Sequence, residues 1–381
     1  MRVFRSFVFL PIAVLFLLGG CADDPPNPVG IGLVPSADRV KIRSYDTTAI
    51  SSSTYTTRIS GSTTLVMLGK YQDDKAWTLM QFYIDSTKYP LTKLDSVTLS
   101  FRINYRFRDS SGVVAFTLHN MRTTWYQGSF TLDSLQLIPN CYSDTILGSY
   151  TLTVHPTDST VSIRLDTSAA RTWISNGQSS IILVPKDSST IIIGIGTVAS
   201  YADQNPKLTI AYHDTANVPY SDSMYAYQRM SVAENALPVV TQHMFAQGSV
   251  AVRSKLKFDV SGIPANVSIT EATLRISLDT VLSVRNSASD NSIIALFAVD
   301  DSAKPAVGGY YGVSSLSNGS VLTIPVTSLV QQWAARGAAV NHGIVLRAYN
   351  EYTTIERYAM YDVTALPALR PKLLIKYSVV R

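Results

Sequence analysis

Residues 206–212 read PKLTIAY, and residues 371–377, near the end of the chain, read PKLLIKY. Both stretches alternate apolar with less apolar residues, which is the period-two pattern of a half-buried β-strand. Further matches follow in the same order along both halves, and such self-similarity indicates a repeated structural unit rather than chance likeness among β-rich stretches. The matched positions, first half before second, are Met80, Phe82 and Ile84 with Leu256, Phe258 and Val260, 97–99 with 272–274, Trp173 with Trp333, and Gly177 with Gly337.

Strand-like runs fill the rest of both halves. In residues 97–107 apolar and polar residues alternate, so one face of a strand would be buried. Turn-forming residues separate such runs at short intervals, which is typical of sandwiches and barrels. Trp173 and Trp333 lie in the only helix-like stretch of each half, and we assign both to the core. We predict an all-β protein of two tandem antiparallel β-sandwich (jelly-roll-like) domains, each with one short helix, at 41–214 and 222–381.

The first residues have the pattern of an export signal. Two arginines precede an almost wholly apolar run at 7–18, which is shorter than the ~20 residues that a membrane span needs. The run leads into Leu-Gly-Gly-Cys, ending at Cys21, which resembles the lipobox of bacterial lipoproteins. This resemblance implies a signal peptide at 1–20 that is cut after Gly20, and a lipid on Cys21. The alternative is an ordinary secretory signal followed by a chance cysteine.

A tether follows the lipobox. Residues 21–40 are rich in proline and aspartate, so they cannot build a core and favour extended geometry. Ala22 behind the cysteine is similar to the outer-membrane sorting pattern of enteric bacteria, and Asp23-Asp24 resembles acidic surface-export signals of Bacteroidetes lipoproteins. We predict a lipid-anchored protein of the outer membrane or cell surface, and the leaflet stays open.

The second half resembles DNRLRE-type domains over roughly residues 245–378. The resemblance rests on LKFDVSGIP at 256–264, ITEATL at 269–274, Trp333, NHGIVL at 341–346 and the closing strand at 371–377. These are mainly residues of the fold. The resemblance implies a β-sandwich module of the kind found in extracellular bacterial proteins, some of which bind carbohydrate.

Short stretches of the first half resemble, in the same order, an uncharacterised family of large Bacteroidetes surface lipoproteins. They are DP at 24–25, IG at 31–32, LVP at 33–35, DT at 46–47, LGKYQD at 68–73 and LDSV at 94–97. Because no activity is established for that family, the resemblance implies location and architecture but no chemistry.

The sequence has no catalytic or transition-metal spacing. The five histidines are scattered, no nucleophile motif occurs, and Cys141 is the only cysteine besides Cys21, so we expect it to be buried. Acidic pairs at 73–74 and 300–301 are interpreted as solvated turns, with a glycosidase site or a structural calcium site as alternatives. The net charge of +5 is too small to indicate nucleic acid binding. We predict no enzyme activity, no cofactor and no nucleic-acid partner.

Several aromatic residues are candidate ligand contacts, because aromatic rings can stack on the apolar faces of sugars. Trp77 and Trp125 have no tryptophan counterpart in the other half. Trp125 and Tyr126 lie among polar residues, as a loop would, and Tyr310-Tyr311 follows two glycines. The alternative is that all five are ordinary strand and loop residues.

A row of arginines is the second candidate. Period-two geometry would send Arg102, Arg106 and Arg108 to the outer face of one strand, and the matching strand of the second half has no such row. Guanidinium groups pair with carboxylate and phosphate, so the row could contact an acidic polysaccharide or a lipid-linked phosphate. The alternative is a solvated strand face that resists aggregation.

These observations favour a non-catalytic protein, held on a membrane by its lipid, that binds extracellular or envelope polysaccharide. The alternative is a structural or assembly role through contacts with other envelope proteins.

Overall fold

The structure is a computed structural model, and it describes residues 40–57, 59, 65–89, 93–197, 205–286, 293–317 and 319–379. The regular structure of these residues is mostly antiparallel β-strand, arranged in two separate 11-stranded sheets that each curl into a sandwich-like unit. The predicted all-β fold is therefore confirmed. The predicted signal peptide, Cys21 and almost all of the tether lie outside the described residues.

The elements are numbered in chain order within the described residues. The strands up to the middle of the chain are β1 (Lys41–Thr56), β2 (Leu65–Tyr71), β3 (Asp74–Tyr83), β4 (Leu94–Arg106), β5 (Gly112–Asn120), β6 (Gly148–Val154), β7 (Thr160–Leu165), β8 (Gln178–Pro185), β9 (Ile192–Gly196), β10 (Lys207–His213), β11 (Pro219–Tyr225) and β12 (Gln228–Glu234). The remaining strands are β13 (His243–Gln247), β14 (Val252–Phe258), β15 (Val267–Ser277), β16 (Ile293–Ala298), β17 (Val307–Val313), β18 (Ser315–Ser317), β19 (Val321–Pro325), β20 (Ile344–Ala348), β21 (Arg357–Tyr361) and β22 (Lys372–Val379). The helices are α1 (Leu132–Leu137), α2 (Thr167–Asn176) and α3 (Thr327–Arg336), followed by a 3-10 turn at Ala338–Val340.

The first sheet runs in the order β11-β10-β4-β9-β2-β3-β8-β5-β6, with β7 also paired to β4 and β12 also paired to β3. Strand β4 turns the corner of this sandwich. Its first part pairs with β7 and β10, and its end pairs with β9 after a register irregularity between Ile103 and Tyr105. Such a bulge bends a strand and increases its twist, so one strand can serve both layers.

The second sheet runs in the order β17-β16-β20-β14-β1-β22-β15-β19-β18, and β13 joins β14 to β21. Here β1 turns the corner. It pairs with β22 up to Thr48 and with β14 from Ala49 onward, with a register irregularity between Ala49 and Ser51.

Each sandwich has its own apolar core, and the matched tryptophans belong to these cores. Trp173 is 2% exposed and Trp333 is 3% exposed, which confirms the predicted assignment. Helix α2 begins where the Asp166 side chain accepts a hydrogen bond from the backbone of Ser168, and it ends at Gly177, whose φ of 69° is left-handed.

The strand register is the same at matched positions of the two halves. Leu99 lies opposite Leu208 in the first sheet, and the matched Leu274 lies opposite Leu373 in the second. Strands β7 and β10 flank β4 just as β19 and β22 flank β15. The two halves therefore share topology as well as sequence pattern.

Strand pairing corrects the predicted contents of the two domains. Strand β1 falls within the predicted range 41–214, but its partners among the described residues are β14 and β22 of the second half. Strands β11 and β12, which follow the predicted end of the first domain, pair with the first half. Periodicity identifies a strand but not its partner, because pairing is decided by distant residues. The first half also contains a second helix, α1, whose Leu132 and Leu135 are only partly buried against an apolar cluster.

The two halves meet through a mixed junction. Met67, Phe107 and Ile192 of the first half form one apolar cluster with Val284 and Ile355 of the second. Beside this cluster, side chains of the two halves form buried hydrogen bonds. Among the described residues, no helix is both long and apolar enough to cross a membrane.

Candidate functional site

The predicted arginine row is broken by the bulge in β4. Ile103 packs in the core of the first sandwich, whereas Tyr105 and Phe107 pack in the cluster between the halves. Because one extra residue reverses the faces of a strand, Arg102 and Arg106 lie on opposite faces. The expectation of a continuous row on one outer face is therefore wrong.

Arg106 and Arg108 form local contacts. The Arg106 guanidinium is half-buried, and its Nη2 donates to the carbonyl oxygens of His155 and Asp158 in the turn between β6 and β7. Arg108 is exposed and has a φ of 67°, and its backbone N–H donates to Oδ1 of Asn286 over 2.8 Å. These contacts hold a turn and the junction together, so they do not form a joint anion site.

The aromatic candidates separate into buried and exposed residues. Trp77 and Trp125 are 7% and 1% exposed and belong to an apolar cluster on the outer face of β3 and β8, so neither is a surface platform. Tyr126 is exposed. Tyr311 is half-buried, packs edge-on against Phe297 and accepts a hydrogen bond from Gln332. The side chain of Tyr310 lies outside the described part of the chain.

Tyr126 lines a groove of about 230 Å³ at the end of the buried cluster. Its neighbours include Tyr227, which is also exposed, and the amide side chains of Gln81, Gln178 and Gln228. The remaining lining residues are Met121, Arg122, Thr123, Thr124, Trp125 and Ser180. The groove thus combines two exposed rings with hydroxyl and amide groups.

Buried and half-buried hydrogen bonds hold the groove in place. Trp125 forms its floor, and the indole Nε1 donates to the Ser180 hydroxyl over 3.0 Å. Gln81 donates from Nε2 to the carbonyl oxygen of Trp125 over 3.3 Å. The backbone N–H of Gln127 donates to Oε1 of Gln228 over 3.1 Å, which joins the loop to β12. The loop carrying Tyr126 is therefore tied to three strands of the first sheet.

The chemistry of the groove suits a neutral polyhydroxylated ligand. Amides and hydroxyls both donate and accept hydrogen bonds, and tyrosine rings offer apolar faces. Arg122 is the only fully charged lining residue, and no carboxylate lines the groove within the described residues. A pair of carboxylates, which hydrolysis of glycosides usually requires, is therefore missing from this lining.

Other polar clusters have structural explanations. Asp73 and Asp301 are exposed, as predicted, and Asp301 pairs with the ammonium of Lys257 over 2.8 Å. Asp74 is 3% exposed, so its assignment to a solvated turn is wrong. Among the described residues no group of histidine, cysteine and acidic side chains could hold a metal ion. Cys141 is buried, as predicted.

Sequence reasoning found Tyr126 but missed Tyr227, Gln178 and Gln228. These residues reach the groove because β8 and β12 both pair with β3. No local pattern distinguishes them, since the distance along the chain from Tyr126 is large.

Comparison of the sequence with protein-family models and with curated proteins finds no match. The resemblances to lipoproteins and to DNRLRE-type domains therefore stay predictions.

Proposed function

We propose that this protein is a non-catalytic binder of extracellular or envelope polysaccharide, and that it binds a neutral glycan in the groove lined by Tyr126 and Tyr227. The observation that carries the proposal is the pairing of two exposed tyrosines with three amide side chains in one preformed concavity. Binding sites are commonly concave and combine apolar faces with a few placed polar groups.

The burial of Trp125 supports this proposal. Because its indole is fixed by Ser180, the neighbouring Tyr126 is presented by a short loop with little freedom. A ring that is already ordered loses less conformational entropy when a ligand binds. Gly128, whose φ is 109°, turns this loop back toward α1.

The proposed location follows from the amino terminus. The apolar run at 7–18 and Cys21 favour export and lipidation, which would hold the groove at the outer membrane or the cell surface. The tether at 21–40 would give the folded part reach above the membrane.

The experiment is a glycan array probed with the chain from Ala22 onward, followed by titration calorimetry with the glycan that binds. We expect Tyr126→Ala and Tyr227→Ala each to weaken binding by roughly tenfold, which corresponds to about 1.4 kcal/mol. We also expect no release of reducing sugar from that glycan.

The matched control is Tyr349→Ala, which removes an exposed tyrosine from the second half. It should bind as the wild type does. If no glycan binds, or if both groove variants keep wild-type affinity while folded, the groove is not a glycan site. Released sugar would instead indicate a hydrolase.

A further inference from the structure

Strand β1 and the pair β11–β12 occupy the same place in their respective sandwiches. Ala49 donates its backbone N–H to the carbonyl oxygen of Pro371 over 3.0 Å, and Ala226 donates in the same way to Pro206 over 2.9 Å. Pro206 and Pro371 are matched positions of the repeat. Both alanines are buried where the chain passes from one layer to the other.

The register of the two strands is also the same. In the first layer, Tyr45 lies opposite Ile375, and Asp222 lies opposite the matched Ile210. In the second layer, Ser52 lies opposite Leu256 and Arg229 lies opposite the matched Met80, as the same repeat requires. The two corner strands are therefore equivalent along their whole length.

Their connectivity is reciprocal. Each corner strand precedes the body of one repeat in the chain but completes the sandwich of the other. Eight residues join β1 to β2, and eight join β12 to β13, so the two connectors have the same length and each joins strands of different halves. The two repeats have thus exchanged their corner strands within a single chain, which is the arrangement that domain swapping produces between chains.

Strands β14 and β22 hold β1 mainly through its backbone. Only Ala49 and Tyr55 of β1 are buried, and the strand is otherwise rich in serine and threonine. Without β1, the edges of β14 and β22 would be unpaired and the core around Leu256 and Phe258 would be open. An open β-edge is a template for another strand. The β1 strand of a second copy of the chain has the same sequence, so it can pair with these edges equally well.

We infer that the groove between β14 and β22 also accepts β1 from a second copy of this chain, so the protein self-associates by strand exchange. Mutual exchange gives a closed dimer, and one-way exchange gives a head-to-tail series. The strand of the same chain is held nearby at an effective concentration in the ~mM range, so it competes with exchange, and exchange requires chains that fold together at high local concentration.

The experiment places one cysteine on β1 and one on β14, at positions that face each other in the sheet. The hydroxyls of Thr54 on β1 and Ser254 on β14 are 3.1 Å apart. One chain carries Thr54→Cys and a differently tagged chain carries Ser254→Cys, both begin at Ala22, and both keep the buried Cys141. The two are produced in the same cells, purified through both tags and oxidised. We expect a disulfide-linked dimer joined through positions 54 and 254.

The control pair is Ser100→Cys on one chain with Ser162→Cys on the other. These hydroxyls are 2.9 Å apart, but they lie on β4 and β7, which belong to the same body. The exchange predicts that the first pair gives roughly tenfold more linked dimer than the control pair. A single chain carrying both Thr54→Cys and Ser254→Cys should close its disulfide internally.

Equal yields from the two pairs, whether high or low, would overturn the inference. The inference would also be overturned if the single chain with both cysteines failed to close its disulfide. The proposed site requires Thr54 to lie opposite Ser254. Glycan binding is not involved in either result.

Discussion

The amide of Gln247 donates a 2.9 Å hydrogen bond from Nε2 to Oδ1 of Asp74, across the junction between the two repeats. Both side chains are buried. Burial raises the pKa of Asp74 from 3.8 to about 6, although the hydrogen bond from Gln247 and the charge of Arg357 oppose this shift. The ionised carboxylate therefore lowers the stability of the junction.

The first prediction concerns pH. Between 3.8 and about 6 the folded protein binds more protons at Asp74 than the unfolded chain does, so the free energy of unfolding falls as pH rises through this window. Asp74→Asn keeps an acceptor for Gln247 and removes the charge. We expect the free energy of unfolding of this variant to exceed that of the wild type at neutral pH by up to ~3 kcal/mol. It should no longer fall as pH rises through this window.

Urea unfolding across a pH series measures this effect. Asp144→Asn, a change at an exposed carboxylate elsewhere in the first half, is the control and should keep the wild-type profile. If Asp74→Asn keeps that profile too, the carboxylate does not titrate in the junction.

The second prediction concerns the matched cores. Trp173→Ala and Trp333→Ala each remove a buried ring, so each should lower the free energy of unfolding by ~3–5 kcal/mol. Leu137→Ala, at an exposed position of α1, should change stability little. A melting temperature equal to that of the wild type in either tryptophan variant would contradict the core assignment.

The third prediction separates two arginines of β4. Arg106 bonds two backbone carbonyls of the β6–β7 turn, so Arg106→Gln should lower the free energy of unfolding by ~1–3 kcal/mol. Arg108→Gln leaves the bond from its backbone N–H to Asn286 in place and should be nearly neutral. Equal effects of the two changes on chemical unfolding would argue against a structural role for Arg106.

The fourth prediction concerns the proposed anchor. Cys21→Ala should abolish labelling by fatty acids, because alanine has no thiol to form the thioether. The precursor should then accumulate uncut or be released from the membrane. Labelling that persists in the variant would show that the protein is not lipidated at this position.

The candidate site could be predicted only in part. Trp125 and Tyr126 were candidates because they form an aromatic pair among polar residues. In the structure both line the same groove. Their roles differ, because Trp125 is buried in an apolar cluster with Trp77 and Met230, which lie far from it in the chain. The arginine row failed for a similar reason, since a single bulge after Ile103 reversed the faces that strict alternation implies.

The sequence by itself determined the strand class, the repeat and the core tryptophans. The alternation in β4, and the similar patterns around Leu208 and Leu373, can each be read within a short stretch of sequence. Hydrophobic burial depends directly on such alternation. Only the tertiary structure decided which sandwich receives β1. Ala49 and Ala226 meet equivalent prolines, so local preference does not choose between the two acceptors. The choice depends on backbone pairing between residues far apart in the chain, which leaves no local pattern.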